Sequence, residues 1–273
     1  GGIERPLGMP ARHVDRAALR RDLGDQAHYM RPLVGDIRDK ERVLRAMEQV
    51  DFVFHAAALK HVPLCEYNPF EAVYTNVIGT KNVVEAAIQQ KVPNLIGIST
   101  DKAVNPVNTM GATKLLSERI VVSAPVGFHG GAFSCVRFGN VLGSEGSVVP
   151  LFHRQIKQGG PVTVTDPDMT RFFMTIPQAV KLVLRAAEVK RGKEIFVLKM
   201  DVVRILDLAE VMIEELAPRY GHDPKNIEIK YIGKRAGEKM HEYLFTEEQA
   251  SHVEGEEDRC VFGNARDDLN RIY

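Results

Sequence analysis

One stretch of the sequence, residues 99–114, concentrates side chains that can bind a ligand and move protons. Asp101 and Lys102 are adjacent in it, and Lys114 follows Met110 by four residues, the spacing that puts two side chains on one face of a helix. An apolar run of strand length leads into the stretch, and ligands of open α/β sheets bind where strands end. These side chains can therefore converge on one pocket. A turn cap, a solvated lysine and a surface helix pair would explain the same residues without any chemistry.

Apolar runs of strand length alternate with amphipathic runs of helix length, a pattern typical of βαβ units and a parallel sheet. The main sheet is predicted to contain strands 51–55, 94–99 and 132–138. Helices 76–87 and 110–122 are predicted to flank it, and residues 139–143 are predicted to form a loop that faces the ligand. We therefore expect an α/β fold, a Rossmann-like doubly wound parallel sheet.

Beyond about residue 150 the pattern changes to predicted strands 161–165 and 227–232 and predicted helices 176–189 and 205–216. These elements favour a smaller α/β substrate-binding domain. Residues 1–150 would then form the cofactor-binding domain, and residues 151–273 mainly the second domain, with segments that return to the first.

A dinucleotide-binding sheet normally opens with a strand, a glycine-rich turn and a helix whose N-terminus holds the pyrophosphate. Residues 1–30 contain no such pattern, although Gly1 and Gly2 could be its remnant. We expect that the chain starts late or lacks these residues, and that the sequence as it stands binds a cofactor poorly.

Charge and composition exclude several classes of protein. Lys plus Arg and Asp plus Glu both number 36, so no overall field would attract nucleic acid or anionic lipid. Three separated cysteines fit a reducing compartment, and neither they nor His61, His153 and His241 have the spacing of metal ligands. No apolar run reaches the roughly 18 to 20 residues of a membrane span, and no signal peptide opens the chain. We expect a cytoplasmic protein without a metal, a nucleic-acid partner or a membrane segment.

From residue 35 onward the sequence resembles the extended short-chain dehydrogenases/reductases, and within them the UDP-N-acetylglucosamine 4,6-dehydratases of the polysaccharide-biosynthesis (CapD-like) group. The resemblance covers nearly everything after the first thirty residues. It rests on the motifs at residues 35–39, 55–63, 76–80, 99–114, 137–141, 165–173 and 233–239, which occur in this order.

The resemblance implies a tightly held NADP, with NAD as the other possibility, which takes hydride from the sugar C4 and returns it at C6. It implies that Asp36 contacts the adenine, that Lys60 meets a phosphate and that the alanines after the first strand let the cofactor approach closely. By itself, the alanine run would be read as a well-packed strand end. The implied cofactor-binding residues are Asp36, Ile37, Ala56, Ala57, Ala58, Lys60, Asn76, Ser99, Lys114 and Phe138.

Loss of water after oxidation at C4 needs a base for the C5 proton and an acid for the C6 hydroxyl. The resemblance implies Lys102 as that base and Asp101 as that acid, which requires a neutral lysine and a protonated carboxyl. Most members of the superfamily have Tyr where this chain has Met110, and methionine cannot take a proton, although a subset of the dehydratases shows the same replacement. We expect Thr100 to relay the C4 hydroxyl proton to Asp101. The predicted catalytic residues are Thr100, Asp101, Lys102, Met110 and Lys114.

The resemblance also implies a UDP-sugar bound between the main sheet and the smaller domain, and a homo-oligomer. Arginine guanidinium groups suit phosphate oxygens, and a carboxylate can accept from ribose hydroxyls. The implied substrate-binding residues are Lys60, His61, Asn140, Val149, Thr163, Thr165, Arg171, Arg235 and Glu238.

The sequence favours NADP-dependent 4,6-dehydration of UDP-N-acetylglucosamine for surface polysaccharide or glycan biosynthesis. A UDP-sugar 4-epimerase on the same scaffold would not need Asp101 and Lys102 and would want Tyr at position 110. A non-catalytic cofactor-binding protein is the third reading, because of Met110 and the absent glycine loop. Inversion or retention at C5 stays open.

Overall fold

A computed structural model describes residues 31–125, 131–144, 146–255 and 259–262. Its strands are β1 Phe52–His55, β2 Asn94–Thr100, β3 Ala132–Phe138, β4 Asn140–Val141, β5 Val162–Val164, β6 Thr170–Met174, β7 Ile195–Leu198, β8 Val202–Arg204, β9 Ile229–Tyr231, β10 Val253–Gly255 and β11 Arg259–Phe262. Its α-helices are α1 Lys40–Ala46, α2 Val62–Tyr67, α3 Pro69–Ala72, α4 Gly79–Gln89, α5 Thr109–Val122, α6 Val148–Lys157, α7 Ile176–Val189, α8 Ile205–Leu216 and α9 Glu247–Ala250. The expected first strand and glycine loop concern residues 1–30, which lie outside the described residues.

The main sheet has six strands in the order β1-β2-β3-β7-β11-β10. Strands β1, β2, β3 and β7 run parallel, whereas β11 and β10 are antiparallel to their neighbours. One apolar cluster packs α1, α4 and α5 against one face of the sheet, and a second packs α7 against the opposite face. Since both faces are covered, β2 and β3 can be almost continuously apolar. This arrangement confirms the predicted doubly wound α/β fold.

A second, smaller core lies beside the sheet and has α6 and α8 as its helices. Its centre is formed by Phe152, Ile156, Val164 and Ile213, all buried. The predicted strands 161–165 and 227–232 become the shorter β5 and β9, which pair in parallel. Strands β4, β6 and β8 form a small sheet of their own. The chain after residue 150 also returns α7, β7, β10 and β11 to the main sheet.

Two local predictions needed correction. The helix expected at 76–87 begins earlier, as α3 followed by a π-helical turn, Val73–Ile78, and then α4. The residues expected as a loop at 139–143 include the short strand β4, because Asn140 and Val141 pair with Phe173 and Met174. Within the described ranges, no helix is long and apolar enough to cross a membrane.

A fully buried ion pair joins β3 to α5. The guanidinium of Arg137 donates to both carboxylate oxygens of Glu118 at 2.8 Å, and each side chain is 1% exposed. Arg137 also donates to the carbonyl of Leu244 and to Oε1 of Gln249. Because these partners come from different elements, the pair fixes the segment after the second domain onto the main sheet.

We predict that Glu118→Ala lowers the free energy of unfolding by about 3–5 kcal/mol, because it removes the carboxylate that accepts two hydrogen bonds from the buried guanidinium of Arg137. Urea denaturation followed by circular dichroism measures the loss. The matched control is Glu85→Ala, which removes a partly exposed carboxylate paired with Lys40 and Lys81 and is expected to cost less than about 1 kcal/mol. Equal losses in the two variants would contradict the prediction.

Candidate active site

A cleft of about 480 Å³ opens where β1, β2 and β3 end. Its walls also include the loop before α6 and three side chains or backbone segments of residues 237–242, at Gly237, Glu238 and Glu242. We name residues 237–242 the crossing segment, because it leads from the smaller core back toward the main sheet. The predicted site residues that line the cleft are Ala56, Ala58, Lys60, His61, Ser99, Thr100, Lys102, Met110, Lys114, Phe138, Asn140, Arg171 and Glu238. Residues predicted for the cofactor, for catalysis and for the substrate thus meet in one place.

A short hydrogen-bonded chain of side chains follows β2. The hydroxyl of Thr100 donates to Oδ1 of Asp101 at 2.9 Å, and Nζ of Lys102 donates to the same oxygen at 3.0 Å. Lys102 also donates to Oδ1 of Asn140 at 3.2 Å. Asp101 is fully buried and its Oδ2 has no hydrogen-bond partner, whereas Thr100 and Lys102 reach the cleft. The arrangement can pass a proton between the cleft and a carboxyl group that no solvent reaches.

Lys114 and Ser99 also line the cleft. Nζ of Lys114 donates to the carbonyl of Ile98 at 2.6 Å, and burial lowers the pKa of this lysine. The hydroxyl of Ser99 is buried and has no partner. Met110 is 3% exposed and packs with Cys65 and Ala72, so its side chain fills the core as well as touching the cleft. The ammonium of Lys114 and the hydroxyl of Ser99 can both bond to a ligand in the cleft.

Asn76 does not line the cleft, but it bonds to a loop that does. Its Oδ1 accepts from the amide of Leu59 at 2.7 Å, and its Nδ2 donates to the carbonyl of Leu59 and to the hydroxyl of Thr113. Because the whole amide group is used, Asn76 holds the loop after β1 in place. It sits in the π-helical turn, an irregularity that often marks functional sites.

Two features that sequence reasoning missed position the Lys102 turn. A Cβ on Gly111 would lie 2.3 Å from the carbonyl oxygen of Lys102, so only glycine lets α5 approach this closely. Asn108 caps α5 through the amide of Gly111 and donates to the carbonyl of Gly237 at 2.7 Å. The signal was present in the sequence as an Asn-x-x-Gly helix start, but it does not reveal the distant partner.

Other predicted site residues lie outside the cleft. Asp36 is exposed and accepts from the guanidinium of Arg38, which lowers the pKa of its carboxyl. Ile37 packs against Gly79, and Arg235 lines a separate cavity of about 560 Å³. The remaining residues outside the cleft lining are Ala57, Asn76, Asp101, Val149, Thr163 and Thr165. Of these, Thr163 bonds to Gln155 within the smaller domain, and Thr165 follows β5 rather than lying on it.

The largest omission from the predicted site is Glu242. It is 7% exposed, lines the cleft and lies 3.8 Å from Nζ of Lys102. Ser147 is a second omission: its hydroxyl is buried without a partner at the start of α6, where the helix N-terminus meets the cleft. Across the described residues, no group of His, Cys, Asp and Glu has the arrangement of a metal site.

His55 lies at the end of β1, directly before the cleft alanines. Its Nε2 is 2.9 Å from the hydroxyl of Thr80, and the ring is 7% exposed. Burial, together with the charge of Lys114, lowers the pKa of His55 from 6.5 to about 4. The ring is therefore neutral in the folded protein at neutral pH.

We predict that this histidine makes folding sensitive to acid. Between pH 6.5 and about pH 4 the unfolded chain binds a proton that the folded chain does not, so the free energy of unfolding falls as pH decreases through that range. The loss is about 3 kcal/mol, from about 1.36 kcal/mol per pH unit between the two pKa values. Urea denaturation at pH 7 and pH 4 should show a smaller loss for His55→Gln than for the unmodified protein. Equal losses in the two proteins would overturn the prediction.

Comparison with known proteins adds the family. The family model described as "Polysaccharide biosynthesis protein" matches residues 12–262. The chain is 63% identical over 85% of its length to an uncharacterized membrane protein of Methanocaldococcus jannaschii, of which it spans 70%. It is 46% identical over 83% of its length to a UDP-N-acetylglucosamine 4,6-dehydratase (inverting) of Campylobacter jejuni, of which it spans 65%.

A relative from Rickettsia massiliae is equally similar and carries a different name, UDP-glucose 4-epimerase, at 46% identity over 81% of this chain and 63% of its own length. Among solved structures, Pen from Bacillus thuringiensis matches with a TM-score of 0.87 and 47% identity, covering 92% of this chain and 76% of that one. The names of the relatives thus leave two activities to be weighed against the geometry of the cleft.

Proposed function

The chain belongs to the polysaccharide biosynthesis protein family, within the extended short-chain dehydrogenases/reductases, and from that premise we propose that it catalyses the 4,6-dehydration of UDP-N-acetylglucosamine with NADP. The observation that carries the proposal is the chain of hydrogen bonds from Thr100 through buried Asp101 to Lys102 at the cleft. It supplies an acid, a base and a relay at one wall of the site.

The cleft fits the nicotinamide end of the cofactor. Ala56 and Ala58 present small side chains there, and the unpartnered hydroxyl of Ser99 and the ammonium of Lys114 can bond to ribose hydroxyls. Bound there, the cofactor would supply oxidation at C4 and reduction at C6. The choice of NADP over NAD rests on the family resemblance.

The side chains of this protein can handle every proton of the reaction. The hydroxyl of Thr100 accepts the C4 hydroxyl proton and passes its own to Asp101, because the two groups are 2.9 Å apart. Neutral Lys102 removes the C5 proton, which the neighbouring ketone makes acidic. Asp101 then returns its proton to the departing C6 hydroxyl, which leaves as water. As C6 is reduced, C5 would take up a proton in place of the one that Lys102 removed. Once Lys102 has released that proton it is neutral and Asp101 is ionised, as at the start.

The diphosphate and sugar would bind near Asn140 and Arg171, which line the same cleft. The guanidinium of Arg171 is anchored by the carbonyls of Thr170 and Met240. The start of α6 at Ser147 adds a helix N-terminus without a side-chain cap and an unpartnered hydroxyl, which suit a phosphate oxygen. Glu238 can accept from ribose hydroxyls.

We also propose a homo-oligomer. Tyr67, Phe70 and Tyr74 are exposed apolar side chains on consecutive turns of α2, α3 and the π-helical turn. Contiguous exposed apolar groups of this kind commonly mark protein contacts.

The epimerase is the second candidate, favoured by the name of the Rickettsia relative. An epimerase needs a base only for the C4 hydroxyl and has no use for an acid at C6. The buried carboxyl of Asp101 and the adjacent Lys102 therefore favour dehydration. Incubation of the purified full-length protein with UDP-N-acetylglucosamine and NADP separates the two by mass, because dehydration gives a product lighter by one water and epimerisation leaves the mass unchanged.

We predict that Asp101→Asn and Lys102→Ala each lower the dehydration rate by at least about 10²-fold, the low end for loss of a general acid or base. Mass spectrometry of the sugar nucleotide measures the product. Lys230→Ala, which removes an exposed lysine on β9, is the matched control and should keep the full rate. Near-normal turnover by either active-site variant would refute the roles assigned to these residues.

A further inference from the structure

The side chain of Glu242 has no part in the reaction described above, although it lies in the same cleft. Its Oε1 is 3.8 Å from Nζ of Lys102, and its Oε2 is 3.3 Å from Nζ of Lys239. The carboxylate side chain is 4% exposed. Lys239 is itself fixed, because its Nζ donates to the carbonyl of Val104 at 2.6 Å. A buried acidic group thus lies between two lysines, one of them the proposed C5 base.

The charges around Lys102 alternate in sign along a line of close contacts. Asp101 lies on one side of Lys102 at 3.0 Å, Glu242 lies on the other at 3.8 Å, and Lys239 lies beyond Glu242. In the described part of the chain, no other carboxylate comes within 4 Å of Lys102. The other charged or titratable side chains that line the cleft are Lys60, His61, Lys114, Arg171 and Glu238.

We propose that Glu242 is a positioning residue that holds the amino group of Lys102 in place through its charge, while Lys239 moderates that hold. The two residues together set the pH at which Lys102 becomes able to remove the C5 proton. This inference rests on the dehydration proposed above, in which Lys102 acts as the base.

The sign of each effect follows from the charges. A carboxylate 3.8 Å from an ammonium favours the charged form of the lysine, and burial keeps water from screening the attraction. Lys239 opposes that effect, because it offsets the charge of Glu242 and repels the proton on Lys102. Removal of Glu242 should therefore ease deprotonation of Lys102, and removal of Lys239 should hinder it.

The test is the dependence of kcat on pH for Glu242→Gln and Lys239→Met in the full-length protein. The limb of the profile on which the rate rises with pH is expected to move to lower pH by about one unit in Glu242→Gln, and to higher pH in Lys239→Met. Glu247→Gln, at the exposed start of α9, is the control and should leave the profile unchanged. If Glu242 and Lys239 had only a structural role, both variants would lower kcat, and the rising limb would not move in opposite directions in the two variants.

A second measurement needs no turnover. Acetic anhydride labels only neutral lysines, so the fraction of Lys102 acetylated at each pH, measured by peptide mass spectrometry, reports its protonation directly. The pH of half-labelling should move in the same opposite directions in the two variants. If Glu242→Gln does not fold, Glu242→Asp withdraws the carboxylate by one methylene and should shift half-labelling downward by less.

The two measurements separate this inference from the proposed function. If the unmodified protein forms no dehydrated sugar but half-labelling moves as expected, the proposed function fails and the role of Glu242 beside Lys102 stands. If the protein dehydrates the sugar and neither the rate profile nor half-labelling moves, the inference about Glu242 is overturned.

Discussion

The arrangement of the cleft depends on one constraint, the complete burial of the carboxyl group of Asp101 at the end of β2. A buried carboxylate is costly unless hydrogen bonds and a counter-ion replace water. Thr100 and Lys102 supply both, but to the same oxygen, and Oδ2 is left without a partner. The bare oxygen is where the acid would carry its proton. Without the hydrogen bonds from Thr100 and Lys102, the buried carboxyl group of Asp101 would have neither a donor nor a counter-ion.

Helix α5 beside the main sheet and the crossing segment both contribute to holding that group of residues. On the main-sheet side, Gly111 allows α5 to contact the backbone of Lys102 directly. From the other side, the crossing segment bonds to the turn around Lys102 through Gly237 and Lys239. The buried pair of Arg137 and Glu118 fixes the chain just beyond that segment. A shift of the crossing segment relative to the sheet would consequently be felt at the turn that carries Lys102.

The sequence predicted those features that short-range patterns encode. Apolar runs located β2 and β3 correctly, because strands buried on both faces must be nearly continuously apolar. The sequence did not predict Glu242. The contacts that bring its segment to the cleft, such as the one between Lys239 and Val104, join residues 135 positions apart and exist only in the folded chain. Asn76 shows what a residue type alone does not tell: it suits a ligand contact, but its amide group bonds to Leu59 and Thr113. Pattern identifies which residues can act, whereas packing decides which of them are free.

The packing of Met110 limits the chemistry that the cleft can perform. Its side chain is almost fully buried and fills a small core with Cys65 and Ala72, so the thioether is retained by apolar contacts rather than by a hydrogen bond. A thioether cannot accept a proton from the sugar. In the proposed dehydration, the C4 proton would then leave through a hydroxyl that already contacts an acceptor, and Thr100 is in that position beside Asp101. The same carboxyl group can thus receive the first proton of the reaction and return it to the departing water, so that loss of a phenol at this position need not cost the protein its chemistry.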